Sequence, residues 1–123
     1  MTRRPHSEWS NEDLIARFLA ITLEQDDAIS KDKNQKYNRL FKEMVLVLDE
    51  LKMRPDNPRR ALLALLDHPN AQVRLKAAIH TLAVDRDRAI AVLQAIKNSK
   101  EYPQAADAWG ILDSMAEGRY TPS

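Results

Sequence analysis

Displacing the sequence by 30 residues lays Ala61 on Ala91, Leu62 on Val92, Leu63 on Leu93, Leu66 on Ile96, Ala78 on Ala108 and Leu82 on Leu112, without a gap. Self-similarity at a fixed period of roughly 20–50 residues marks a chain built from stacked supersecondary units. Each copy reads as a helix, a turn and a second helix, with alanines small enough to let the two helices approach closely. Such a pair cannot bury both of its faces alone, so the copies are expected to stack on a neighbour.

The neighbour is supplied by residues 10–54. Ser10 is a good N-cap with Asp13 three residues on, and Trp9 and Leu14 are spaced as a hydrophobic staple. From there Leu14, Phe18, Ile21, Gln25 and Ala28 recur at helical spacing, which predicts a helix over roughly 11–30. The polar stretch 30–35 turns the chain. Tyr37, Leu40, Phe41, Met44, Leu48 and Leu51 then predict a second helix to about Met53, antiparallel to the first because the link is short. Gln25 and Asn38 sit near the facing sides of this hairpin, where two amides would bond each other or the backbone.

Further along, Asn57 and Pro58 read as the cap and first position of a third helix, which must stop near His68 because Pro69 disfavours helical geometry before it. Asn70 caps a fourth helix ending near Asp85. Asp85 or Asp87 caps a fifth, and Pro103 opens a sixth that Gly118 closes. The expected organisation is a flexible arm at 1–9, one helical-repeat domain at 10–118 and a tail at 119–123. Within the domain lie a long hairpin at 10–54 and helix pairs at 58–85 and 86–118.

Composition agrees with an all-α fold. Only two glycines are present among 123 residues, which leaves little turn chemistry for a sheet. With no cysteine, disulfides, thiolate nucleophiles and Cys-type zinc sites are excluded. No 18-residue apolar run occurs, so no membrane span is expected. The first residues lead into Ser-Asn-Glu-Asp rather than an apolar core, so no secretory signal is visible and a cytoplasmic location is expected. Lys plus Arg numbers 19 against 18 Asp plus Glu, interspersed, which gives no overall cationic lobe for nucleic acid.

The stretch from Leu62 to Ala78 resembles a HEAT-type (armadillo-type) repeat. It has leucines on the first helix, an Asp67-x-Pro69-Asn70 turn, Val73-Arg74 and the Ala77-Ala78 pair. The resemblance implies a right-handed α-α superhelix of about six helices in three antiparallel hairpins. It also implies that Asp67 and Arg74 form a polar ladder within the repeat. The second copy departs from that pattern, with Lys97 and Gln104 at those two positions, so the ladder is expected to end there. Over its whole length, including Tyr37 to Met44, the chain also resembles the small bacterial domain of unknown function 2019 family, a resemblance that implies no activity.

No catalytic constellation is visible. His6, His68 and His80 have no metal-ligand spacing. The adjacent carboxylates Asp26-Asp27 and Asp49-Glu50 point about 100° apart on a helix and are not preset for acid–base work. Neither a cofactor nor a metal site is expected. His80 lies opposite Gly110 in the 30-residue register, where the missing side chain either leaves room beside the imidazole or permits close helix packing.

The resemblance implies a concave face lined by the second helix of each pair. Arg74, Lys76, Ile79 and His80 would lie there beside Trp109, Gly110 and Asp113. Aromatic and Arg residues concentrate binding energy at interfaces, so Arg74, Lys76, His80, Trp109 and Asp113 are the candidate binding residues. Trp109 has a competing role as filler of the C-terminal core, and Trp9 and Tyr102 read as local staples. The function expected is a non-catalytic protein–protein interaction module, with homodimerisation through an end face open. The alternative is a nucleic-acid-binding or base-processing protein using Arg74, Lys76, Arg86 and Arg88.

Overall fold

The computed structural model describes residues 4–123. Among them are five α-helices, α1 (Asn11–Ser30), α2 (Asn34–Met53), α3 (Ala71–Thr81), α4 (Arg86–Asn98) and α5 (Gln104–Ala116), with two 3-10 segments and no strand. The protein is all-α. Its contacts divide it into two compact units, one running to Ala61 and one comprising Leu62–Ser123. The sequence reads 10–118 as one domain; the division falls inside the 3-10 segment Pro58–Asp67. Among the described residues, no helix is long and apolar enough to cross a membrane.

In the N-terminal unit, α1 begins where its cap predicts: the Asp13 N–H donates to Ser10 Oγ at 3.0 Å. Its far end is closed by Asp32, whose φ of 55° lets the Lys33 N–H reach back to the Ala28 carbonyl at 2.8 Å. That is a left-handed stop, tolerated by Asp more readily than by most side chains. α2 returns alongside α1, so that Arg54 at its end donates to Asn11 Oδ1 at 2.8 Å. Leu14, Phe18 and Ile21 of α1 meet Met44, Val47 and Leu51 of α2 in the core, each of them fully buried.

The second stripe is narrower than its apolar spacing implies. Leu40, Met44, Val47, Leu48 and Leu51 are buried, whereas Phe41 and Val45 are exposed on the flank of α2. Gln25 is fully buried as expected, but Asn38 is exposed, so the two amides form no shared network. Of the flexible arm expected at 1–9, residues 1–3 lie outside the described residues, and residues 4–9 carry a 3-10 turn at His6–Glu8. Trp9 packs edge-on against His6 with centroids 4.9 Å apart, and Arg54 donates to the His6 carbonyl at 3.0 Å.

Pro58–Asp67 is 3-10 rather than α-helical. Asn57 does not cap it in an extended conformation; it sits at φ 45° after Asp56 at φ 64°, and its side chain accepts from Arg59 Nε at 3.1 Å. Two consecutive left-handed residues, Asp56 and Asn57, lead into the segment, and it ends before Pro69, which disfavours helical geometry at His68. Burial lowers the pKa of Arg59 in this stretch.

In the C-terminal unit, Asn70 Oδ1 accepts from the N–H groups of Gln72 and Val73 and starts α3. Asp85 Oδ1 accepts from the Arg88 N–H and starts α4. Gly118 closes α5 at φ 73°, with the Arg119 N–H on the Ser114 carbonyl at 2.8 Å and its own N–H on Met115 at 3.1 Å. This is the paired-bond helix stop that a Gly at that position favours. α3 lies against both α4 and α5, which also pack on each other. Eight of its eleven residues are buried.

Candidate functional site

Arg74 on α3 does not pair with Asp67, which is exposed. Its Nη2 donates to Glu101 Oε1 at 3.1 Å, from the link between α4 and α5, and its Nη1 lies 3.4 Å from the His68 carbonyl. The His68 ring also serves the turn, with Nδ1 accepting from the Asn70 N–H at 3.0 Å. At the position equivalent to Arg74, Gln104 donates from Nε2 to Gln72 Oε1 at 3.0 Å, and both side chains are buried. The expected ladder thus gives way to one ion pair and one amide pair, both joining α3 to the α4–α5 part of the unit. The Gln72–Gln104 pair has no local sequence signal; only the stacking of α3 on α5 brings it together.

The candidate binding residues separate in the structure. Lys76 is buried, at 9% relative exposure, because α3 is covered on most sides, and it is not presented on an open face as the sequence implied. His80 is half-buried near the end of α3. Trp109 is 55% exposed and therefore does not fill the C-terminal core. Asp113, one turn further along the same face of α5, accepts from Arg119 Nη2 at 2.8 Å. A Cβ added at Gly110 would meet nothing within 4 Å, so this glycine is no close-packing device. Tyr102 is 71% exposed and is not a staple.

Of the four cations that a nucleic-acid surface would use, Lys76 is thus covered and Arg74 is engaged by Glu101, while Arg86 and Arg88 are exposed.

The N-terminal unit has its own charged centre. Arg17 on α1 donates to both carboxylate oxygens of Glu43 on α2, at 2.5 and 2.7 Å, and from Nη1 to Glu24 at 3.2 Å. The hydrogen bonding of Arg17 to Glu43 raises the arginine pKa above its ordinary value, against the opposing effect of burial. A cleft of about 320 Å³ lined by Arg4, Trp9, Arg17 and Glu43 opens beside it. The Arg17 fork already donates to two carboxylates through three of its five N–H groups, and its bidentate pairing with Glu43 ties α1 to α2. Among the described residues, no group of three His, Cys, Asp or Glu side chains is placed to hold a metal ion.

A small all-helical protein with capped helices, an interior amide pair and an exposed Trp on its last helix is what the fold and this geometry define. The chain belongs to the family described as domain of unknown function (DUF2019), whose model matches residues 12–116. It is similar to the crystal structure of the protein RPA1889 from Rhodopseudomonas palustris CGA009, with 43% sequence identity and a TM-score of 0.92, over 99% of this chain and 100% of that one. No curated protein matches it.

Proposed function

We propose that the protein is a non-catalytic, HEAT-like helical-repeat module that binds another protein in the cytoplasm, with Trp109 as its central contact. The observation that carries this reading is the 55% exposure of Trp109 on a helix that has the smaller Ala105 and Ala108 buried instead. A large aromatic side chain held in water gains little until a partner covers it, and interface hot spots are enriched in Trp. Asp113 and the partly exposed His80 and Arg74 supply polar groups in the same unit. The internal repeat supports the HEAT-like reading, since its second helices, α3 and α5, pack together.

The test is affinity capture from a native bacterial lysate, identification of the captured protein, and titration of that purified protein against wild type and Trp109→Ala. A direct complex weakened tenfold or more by Trp109→Ala is the expected result. A captured protein that binds both forms equally, or capture of nothing, overturns the reading.

A further inference from the structure

α4 has two flanks. One faces α3, and the other opens with α5 onto a cleft of about 330 Å³. The α4 wall of that cleft is Arg86, Ile90, Gln94 and Lys97, and the α5 wall includes Leu112 and Met115. Residues 86 and 97 are separated by three turns, so their directions agree to within about 20° and they stand about 16 Å apart along the helix. The cleft therefore has apolar side chains on both walls and a cation towards each end of its α4 wall. Both cations are exposed, neither makes an ion pair with another described residue, and no carboxylate lines the cleft.

We propose that this cleft is a docking groove for an acidic amphipathic helix of a partner protein. The inference rests on the reading of the chain as a protein-binding module and names the chemistry of the partner. A helix laid in a groove is anchored by apolar residues at spacings of three, four and seven. Ile90, Leu112 and Met115 are the matching apolar lining, and carboxylates about three turns apart on the incoming helix would meet Arg86 and Lys97. Charge complementarity of this kind sets register and excludes cationic competitors. It also separates this groove from the other flank of α4, where Arg74 is already matched by Glu101.

The test uses two fluorescein-labelled synthetic helical peptides with the same apolar face, one carrying Glu and the other Lys at the two flanking positions. Each is titrated by anisotropy into the full chain. Binding of the Glu peptide at least tenfold tighter than the Lys peptide is expected, with the preference reversed in Arg86→Glu/Lys97→Glu. Met115→Glu should weaken the Glu peptide as well, and far-UV circular dichroism checks that each variant keeps its helices. Equal binding of the two peptides, or no binding, overturns the proposal. So does self-association in sedimentation velocity that is abolished by Met115→Glu, which would give the groove to a second copy of this chain. If the peptides fail while a captured partner still depends on Trp109, the groove falls and the protein-binding reading stands.

Discussion

Gln104 donates to Gln72 across 3.0 Å between two helices that begin 33 residues apart, and both amides are buried. The bond joins the start of α5 to the start of α3. A buried amide deprived of its partner keeps the desolvation cost without the bond, roughly 1–3 kcal/mol. Gln104→Met, close in volume, is expected to destabilise the C-terminal unit by about that amount in urea denaturation. Replacing both glutamines with Met should cost less than the sum of the single changes, as a double-mutant cycle would report.

Arg17 and Glu43 offer the corresponding cross-link in the N-terminal unit. Their side chains are 28% and 23% exposed and meet through two parallel hydrogen bonds. Arg17→Met is expected to lower stability by about 1–2 kcal/mol, more than a solvent-exposed pair would lose. Lys31→Ala, which removes an exposed pair with Asp27, should change the urea midpoint little.

Helix stops provide a third test, because two ends close in the same way with different residues. Asp32 at φ 55° and Gly118 at φ 73° occupy equivalent stops of α1 and α5. Asp32→Gly is expected to stabilise by a few tenths of a kcal/mol to about 1, and Gly118→Ala to destabilise by about 1. Gly110 is the contrast: mid-helix, with open space where a Cβ would go, so Gly110→Ala should stabilise by about 0.5–1 kcal/mol. Thermal melts of the three variants distinguish these signs.

Caps lend themselves to a paired comparison. Ser10→Ala and Asn70→Ala should each cost about 1 kcal/mol, the first in the N-terminal unit and the second in the C-terminal one. Hydrogen exchange localises the loss: faster exchange in the first turn of α1 for Ser10→Ala, and in that of α3 for Asn70→Ala.

Features decided within a few residues were the ones that the sequence disclosed. Ser10, Asn70 and Asp85 accept from backbone N–H groups two or three positions on, so their chemistry is local and their helices start as read. Gly118 likewise declares its own stop. Sequence and structure differ where distant parts decide. Periodicity placed Phe41 in the core stripe and Asn38 near it, but the facing width of α1 limits how much of α2 is covered, and both remain exposed. Arg74 takes a carboxylate 27 positions away instead of Asp67 in its own turn. The path from Pro58 is 3-10 and is entered through left-handed geometry at Asp56 and Asn57, which their side chains permit without announcing. Of the candidate binding residues, Trp109 kept its exposure and Lys76 did not, because α3 is hemmed in by two neighbours.

That enclosure has an evolutionary corollary. A segment touched on nearly every side has little latitude to drift, since a bulkier or more polar replacement must be accommodated by two other helices at once. New surface chemistry is accommodated more readily on the outer flanks of α4 and α5, where a side chain answers to solvent rather than to two neighbours.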